Sequence, residues 1–317
     1  MKIKNILKLF LFALSVLIIS SCKKEAENIF TMFDDVTVTY NNSDPKCVVD
    51  YKQVTDNSEV WIDYTINSAN EDIYSVTVER TTGTGFDRQV FTPTESQRRS
   101  YSNIFKYTFQ RDGQTSFRVF ARNQKGVYIG DGYKKVTVDV LPSYKFFPNR
   151  QIYLPDTVAK VLPSFVSLRT GEAFSYTNGL ANSANIDFGI WRRPDNVASN
   201  PQYIYNLYAT GAQPAAFNIY DVTAWTKRAT KFSAQVASGS STFLNNCISA
   251  STIETLAKAR TINLDAITGT TAANGLTSGS IIYFQTPDLK YGVMLINSIT
   301  SDYQKRPLMN VSIKVQN

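Results

Sequence analysis

Chemistry in this chain is narrowed first by an absence: none of its 317 residues is histidine. That removes the usual general base, the usual partner of a Ser or Cys nucleophile and the commonest transition-metal ligand together. Apart from Cys22 the only thiols are Cys47 and Cys247, which fall in what read as different domains. They suit small apolar core positions better than a disulfide or a Cys-rich zinc site, so no metal and no cofactor is expected. Carboxylates for glycoside hydrolysis would have to come from scattered positions such as Asp187, Asp195, Asp221 and Glu254, and their spacing pairs no two of them. Ser-Lys, Cys-based and metal constellations also lack a recognisable spacing, and an enzyme is not the expectation.

What the chain does concentrate is aromatic and guanidinium surface. Trp191-Arg192-Arg193-Pro194 and Tyr203-Ile204-Tyr205-Asn206-Leu207-Tyr208 flank a polar loop from Asp195 to Pro201. Aromatic rings stack on the apolar faces of sugars while amides, carboxylates and guanidinium groups take the hydroxyls. Trp191, Arg193, Tyr203 and Tyr205 are therefore the candidate ligand-binding residues, with carbohydrate the leading class. The competing reading has Trp191 ending a core strand and Tyr205 and Leu207 facing inward on the next. Trp61 alternates with Val60 and Ile62 and so faces away from them, whereas the spacing of Trp225 to Val222 and Phe232 marks a helix packed on a sheet.

These residues need a scaffold, and the pattern predicts a mainly β one in two domains. Residues 1–21 read as a signal peptide: Lys2, Lys4 and Lys8 precede an apolar run from Leu9 to Ile19 that is too short to span a bilayer. Residues 22–34 are a polar tether. From 35 to 142, short alternating runs predict an antiparallel sandwich, with strands at Val36–Tyr40, Cys47–Val49, Val60–Ile66, Ile73–Arg80, Val90–Phe91, Tyr107–Gln110, Phe117–Asn123 and Val136–Val140, and one short helix at Thr94–Tyr101. Pro148, Pro155 and Pro163 then suit a passage along the surface. Residues 143–317 predict an antiparallel α+β domain with two short helices, one capped by Asp221 and one by the Ser251-Thr252-Ile253-Glu254 box, and a closing hairpin from Ile281 through Pro287-Asp288-Leu289-Lys290.

The whole-chain charge of +7 falls to +4 once the three signal lysines are removed. Basic residues occur as isolated pairs such as Lys23-Lys24, Arg98-Arg99 and Arg192-Arg193, so nucleic acid is not an expected partner.

Three resemblances add to this reading. Ile19-Ser20-Ser21-Cys22 resembles the lipobox of bacterial lipoproteins, which implies cleavage before Cys22 and acylation of that residue. Lys23 is not the aspartate that retains some lipoproteins in the inner membrane, which favours the outer membrane. Ser116–Gly126, with Tyr74–Phe86, resembles a fibronectin type III or related immunoglobulin-like domain, with Phe117 where a tyrosine is usual. Ile186-Asp187-Phe188 and Ile282–Gly292 are similar to the carboxy-terminal halves of Bacteroidota surface lipoproteins, including haem-scavenging ones. Those carriers hold iron through a histidine pair, so haem ligation passes to no residue here. Asp156-Thr157-Val158 resembles the O-glycosylation acceptor pattern of the same bacteria.

The expectation is a lipid-anchored binding or accessory protein of the cell envelope, capturing a carbohydrate or another nutrient with its carboxy-terminal domain. The alternatives are a structural or adhesive lipoprotein engaging another protein, such as an outer-membrane transporter, and an extracytoplasmic hydrolase. An acyl anchor contributes about 0.8 kcal/mol per buried methylene, so a multi-chain anchor holds essentially permanently. Replacing Cys22 by Ala should accordingly release a folded protein from the membrane fraction. Retention after a high-salt wash would contradict the lipobox reading.

Overall fold

Period-two burial is clear in strands such as Val36–Tyr40, Ser100–Thr108 and Lys135–Val140 of the computed structural model, which describes residues 36–83, 85–130, 133–194, 203–212, 219–267 and 275–317. Cys22, the tether and the loop at residues 195–201 lie outside that set. The chain is mainly β, at 49% strand against 12% helix, with several antiparallel sheets. Its contacts separate two compact units. One holds the described residues up to Asp50, Ile62–Phe105 and Ser116–Val136; the other holds Tyr51–Trp61, Lys106–Thr115 and Thr137–Asn317.

The first nine strands are β1 Val36–Tyr40, β2 Tyr51–Val54, β3 Glu59–Ser68, β4 Ser75–Thr82, β5 Gly85–Phe91, β6 Ser100–Thr108, β7 Gly113–Arg122, β8 Tyr128–Ile129 and β9 Lys135–Val140. In the first unit β1, β3 and β6 form one sheet, and in another β4 stands between β5 and β7. Val36, Val38 and Tyr40 point inward while Thr37 and Thr39 face water. The Tyr40 hydroxyl reaches across the core, accepting from Val119 N at 3.1 Å and donating to Lys134 O at 3.0 Å. Glu79 on β4 is buried between Arg88 at 2.7 Å and Arg118 at 2.6 Å. Burial alone would raise its carboxyl, but the hydrogen bonds from Arg118 and Arg88 hold it below the usual range.

Three expectations for this region change, the strand expected at Tyr107–Gln110 being the end of β6, which stops at Thr108. Thr94–Tyr101 is not a helix: a single 3-10 turn at Glu95–Gln97, boxed by Thr94 and Gln97, leads straight into β6. Cys47 makes only an isolated bridge, and the strand begins at Tyr51, where β2 runs parallel to β9.

The second unit adds β10 Tyr144–Tyr153, β11 Pro163–Val166, β12 Ala173–Ser175, α1 Tyr176–Asn182, β13 Phe188–Pro194, β14 Tyr203–Ala209, β15 Lys231–Ser233, α2 Ser240–Asn245, α3 Ala250–Lys258, β16 Ile262–Leu264, β17 Ala266–Ile267, β18 Ile281–Gln285, β19 Tyr291–Ser301 and β20 Pro307–Gln316. A six-stranded sheet runs β10-β20-β19-β18-β15-β16 and a five-stranded sheet β12-β11-β13-β14-β17. Between them lies a core that includes Val166, Phe188, Ile190, Leu207, Phe284 and Met294. The outer face of the six-stranded sheet is covered by α2 and α3 through Phe243, Cys247, Ile253 and Ala257. Burial on both faces explains why β18 reads Ile281-Ile282-Tyr283-Phe284 without alternation. Gly292 on β19 makes room for Phe284, since a Cβ there would lie 2.2 Å from the ring.

The proline-marked passage after residue 143 is in fact β10, an edge strand paired with β20. Pro148 falls at its bulge, beside Asn149 at φ 52, where no ladder N–H is required. The helix expected at Asp221 is absent. Asp221 accepts from Thr223 N and Oγ1 in a local turn, and Phe232 lies on β15 instead. The second expected helix is α3, boxed by Ser249 and Thr252 rather than by Ser251 and Glu254. Helix α1 is capped by Ser175, whose hydroxyl accepts from Asn178 N, and α2 follows Gly239 without a side-chain cap.

The first turn of α3 explains why two distant turns group with this unit. Asp56 accepts from Ser251 N at 2.6 Å and Oγ at 3.0 Å. Asp112 accepts from Ser143 N at 2.6 Å and Oγ at 2.7 Å, and the same Ser143 Oγ takes the Ala250 N–H at 2.7 Å. Orphan helix donors are thus met by side chains, with carboxylate charge at the positive end of the helix. Burial pushes the Asp112 carboxyl up despite the Ser143 bonds, and Asp56 adds to the rise. On the same layer Lys314 is buried, donating to Phe243 O and Cys247 O at 2.7 Å each. Burial lowers its ammonium from the usual lysine value.

Burial raises the phenols of Tyr64, Tyr208 and Tyr220 and pushes Tyr283 up to about 12. A raised folded value means stability is fully present below the unfolded phenol pKa of about 10 and is lost as pH climbs through the folded value. Unfolding above pH ~10 should therefore coincide with the tyrosinate absorbance of these four buried residues appearing in one cooperative step. Gradual ionisation of these tyrosines in a folded protein would contradict it.

Candidate functional site

Strand register decides what the aromatic region can do. On the β13–β14 hairpin Trp191 stands opposite Asn206 and Arg192 opposite Tyr205. Neighbouring residues on a strand face opposite sides, so Trp191 and Tyr205 belong to different faces of the sheet. Trp191 is 7% exposed and packs in an outer aromatic cluster with Phe165, Tyr208, Tyr220 and Trp225. Tyr205 is half-buried against the core between the two sheets. Arg193 and Tyr203 are placed by backbone pairing with Ile204 and Pro194. The loop between them is outside the described residues. Of the four sequence-chosen residues, then, Trp191 and Tyr205 are not brought to one surface.

Trp225 does lie in the core, as expected, but on an irregular segment. It packs on Gly179 of α1, where a Cβ would lie 2.3 Å from the indole, and stacks with Tyr176 at 5.8 Å between centroids. Trp61 is half-buried, with Lys106 Nζ 4.2 Å from its ring centre and its indole N–H on Glu59 at 2.9 Å.

Two other motifs noticed in the sequence do meet. Asp187, just before β13, is wholly buried and accepts from Leu168 N at 2.7 Å, Thr230 Oγ1 at 3.0 Å and Arg228 Nε at 2.7 Å. The same guanidinium reaches Asp288 in the β18–β19 turn at 2.6 Å, and Arg169 joins Asp288 at 3.1 Å. The Arg228 hydrogen bond, with that of Arg169 behind it, holds the Asp288 carboxyl below its ordinary value against partial burial. A four-membered chain, Asp187–Arg228–Asp288–Arg169, therefore runs from the core to the surface.

Its outer half lines a cavity of about 350 Å³, bounded also by Lys145, Thr286, Lys290 and the end of β20 at Val315–Asn317. That volume falls within the ~300–1,000 Å³ of small-molecule sites. Lys145 reaches the rim from β10, opposite Val315. Lys290 donates to the Asn317 main-chain oxygen at 2.5 Å. Arg228, Arg169, Lys145 and Lys290 were not singled out by sequence because they come from four separate segments; the only available signal was the Asp187 and Asp288 pair of motifs.

Asp56 is occupied in capping α3, and Asp112 in holding Ser143, whose hydroxyl takes the Ala250 N–H. Asp156 likewise organises a loop: burial would raise its carboxyl, but Leu162 N, Val161 N and the Tyr220 hydroxyl hold it below the usual range. Among the described residues no group of three His, Cys, Asp or Glu side chains could hold a metal, and no helix is long and apolar enough to cross a membrane.

No family model matches the chain, and no curated protein matches it. Among solved structures, Spo0M, the sporulation control protein from Bacillus subtilis, is similar at 8% identity over 82% of this chain and 77% of that chain, with a TM-score of 0.21. A likeness at that level carries no argument about fold or function.

Removing one partner of a buried ion pair costs about 3–5 kcal/mol, because the other charge is stranded. Arg228→Met should cost that much in urea denaturation, and the double variant Asp187→Asn/Arg228→Met should recover part of it. A single-variant cost under about 1 kcal/mol would show that the pair does not hold the fold.

Proposed function

We propose that this chain is a lipid-anchored binding protein of the cell envelope, of the Bacteroidota outer-membrane type. In this reading it is tethered through Cys22, with an immunoglobulin-like amino-terminal part as spacer and the second unit as the binding head. The head captures a soluble nutrient, carbohydrate being the leading class. The observation that carries this reading is the cavity of about 350 Å³ lined by convergent polar side chains from β10, the β18–β19 turn and the end of β20. Convergent polar groups on a pocket wall are what orient a small ligand. The Trp191–Tyr208 surface, the first choice from sequence, has less support, because Trp191 is buried.

A second reading, an adhesive lipoprotein engaging another outer-membrane protein, is favoured by one feature. Strand β5 is open along nearly its whole length, with Phe86 63% and Val90 59% exposed. Exposed apolar side chains on an edge strand suit strand addition by a partner.

The test is a glycan array on the protein from residue 22 onward, followed by calorimetry on any hit. Asn317→Trp places a bulky side chain at the exposed rim of the cavity without entering the core. It should abolish binding of the hit while leaving the melting temperature within a degree or two, since exposed substitutions change stability by about 0.5 kcal/mol or less. A hit that binds the variant undiminished would move the site elsewhere.

A further inference from the structure

The cavity's charge is unbalanced in a way that says something about its ligand, given the binding-head reading above. Four cationic side chains, Lys145, Arg169, Arg228 and Lys290, line it against one carboxylate, Asp288. Adding the buried Asp187 behind Arg228 leaves the side chains of the cluster two positive charges in excess. The two arginines share Asp288 through single contacts, Arg228 at 2.6 Å and Arg169 at 3.1 Å, so the planar donor forks are positioned without being used up. The Lys145 side chain makes no hydrogen bond or ion pair among the described residues, although it stands at the rim.

Like charges gathered on one concave surface repel one another unless an anion is shared between them, and clefts of one sign concentrate ligands of the other. The guanidinium fork also matches two oxygens of a carboxylate or an ester sulfate better than a sugar hydroxyl does. Arg228 cannot swing to accommodate a neutral ligand, because Asp187 fixes its Nε in the core. The positive wall is therefore built in rather than recruited.

We infer that the ligand of this cavity is an acidic saccharide, held through a carboxylate or sulfate group by Arg169 and Lys145, with Arg228 as the fixed cation at the back. The two anion sources share this chemistry and are separated by the probes. Calorimetry on the protein from residue 22 onward would use an oligogalacturonide, its carboxyl-reduced neutral counterpart and a sulfated disaccharide. At least one acidic probe should bind, with affinity falling several-fold between about 10 mM and about 150 mM salt as rim charges are screened. Lys145→Gln and Arg169→Gln should each weaken it about tenfold or more, in line with loss of a charge-assisted hydrogen bond. Both residues are exposed, so circular dichroism should be unchanged. Lys231→Gln, a salt-bridge partner of Asp265 outside the cavity, should bind as the parent does.

Binding of the sulfated probe alone or the carboxylated probe alone supports the inference and identifies the source. Equal affinity for the neutral counterpart, abolished by Asn317→Trp, overturns the charge inference while the binding-head reading stands. Binding of no probe overturns the inference, and an empty glycan array alongside it takes the binding-head reading too.

Discussion

A buried carboxylate that must be answered by a buried guanidinium constrains the whole second unit. Asp187 has no exposure, and the cost of an unpaired charge there would exceed what most single contacts return. Satisfying it fixes four places at once: the start of β13, the loop at Leu168 after β11, the approach to β15 at Arg228–Thr230 and, through Asp288, the β18–β19 turn. Thr210 closes the same knot by donating to Ile186 O and accepting from Arg228 N. Elements from both sheets are thereby held in register by polar bonds at one end of an otherwise apolar sandwich. Apolar packing specifies a unique arrangement less strictly than directional bonds do.

Around that knot the apolar layers do the bulk of the stabilising. The inter-sheet core takes one face of each sheet, α2 and α3 cover the outer face of the six-stranded sheet, and the aromatic cluster of Phe165, Trp191, Tyr220 and Trp225 covers that of the five-stranded sheet. Both sheets are thus covered on both faces. Such a unit has little apolar surface left over for recognition, so binding chemistry is pushed toward strand ends and turns, where the cavity lies.

Much of this was legible in the sequence. Alternation points to the mainly β class and to strands such as β1, because one-face burial writes itself directly into period two, whereas the closing hairpin is marked by its turn residues. The signal failed where burial is two-sided or local chemistry overrides spacing. Val222, Trp225 and Phe232 have helical spacing, yet Asp221 closes a turn on Thr223, and the three side chains serve a cluster and a strand. Pro148 read as a break and marks a bulge in an edge strand. Trp191 stands out in the sequence by its chemical type. Sequence could not show that its neighbour on the next strand, Asn206, shares its face while Tyr205 does not, since register is a property of pairing.

The candidate cavity was illegible for a related reason. Its cations arrive one at a time from β10, the β11 loop, the segment before β15 and the β18–β19 turn, so no window of sequence shows a basic cluster. The pieces that do stand out are anions: Asp187, one of the scattered carboxylates whose spacing pairs no two for hydrolysis, and Asp288, a turn residue of the closing hairpin. In the folded unit each is committed to an arginine, and Asp288 lies below the usual carboxylate range because of it. A carboxylate so held is a poor proton donor near neutral pH, which fits a role in orienting guanidinium groups. Asp187 and Asp288 thus serve, through pairing, as supports for a positively charged wall.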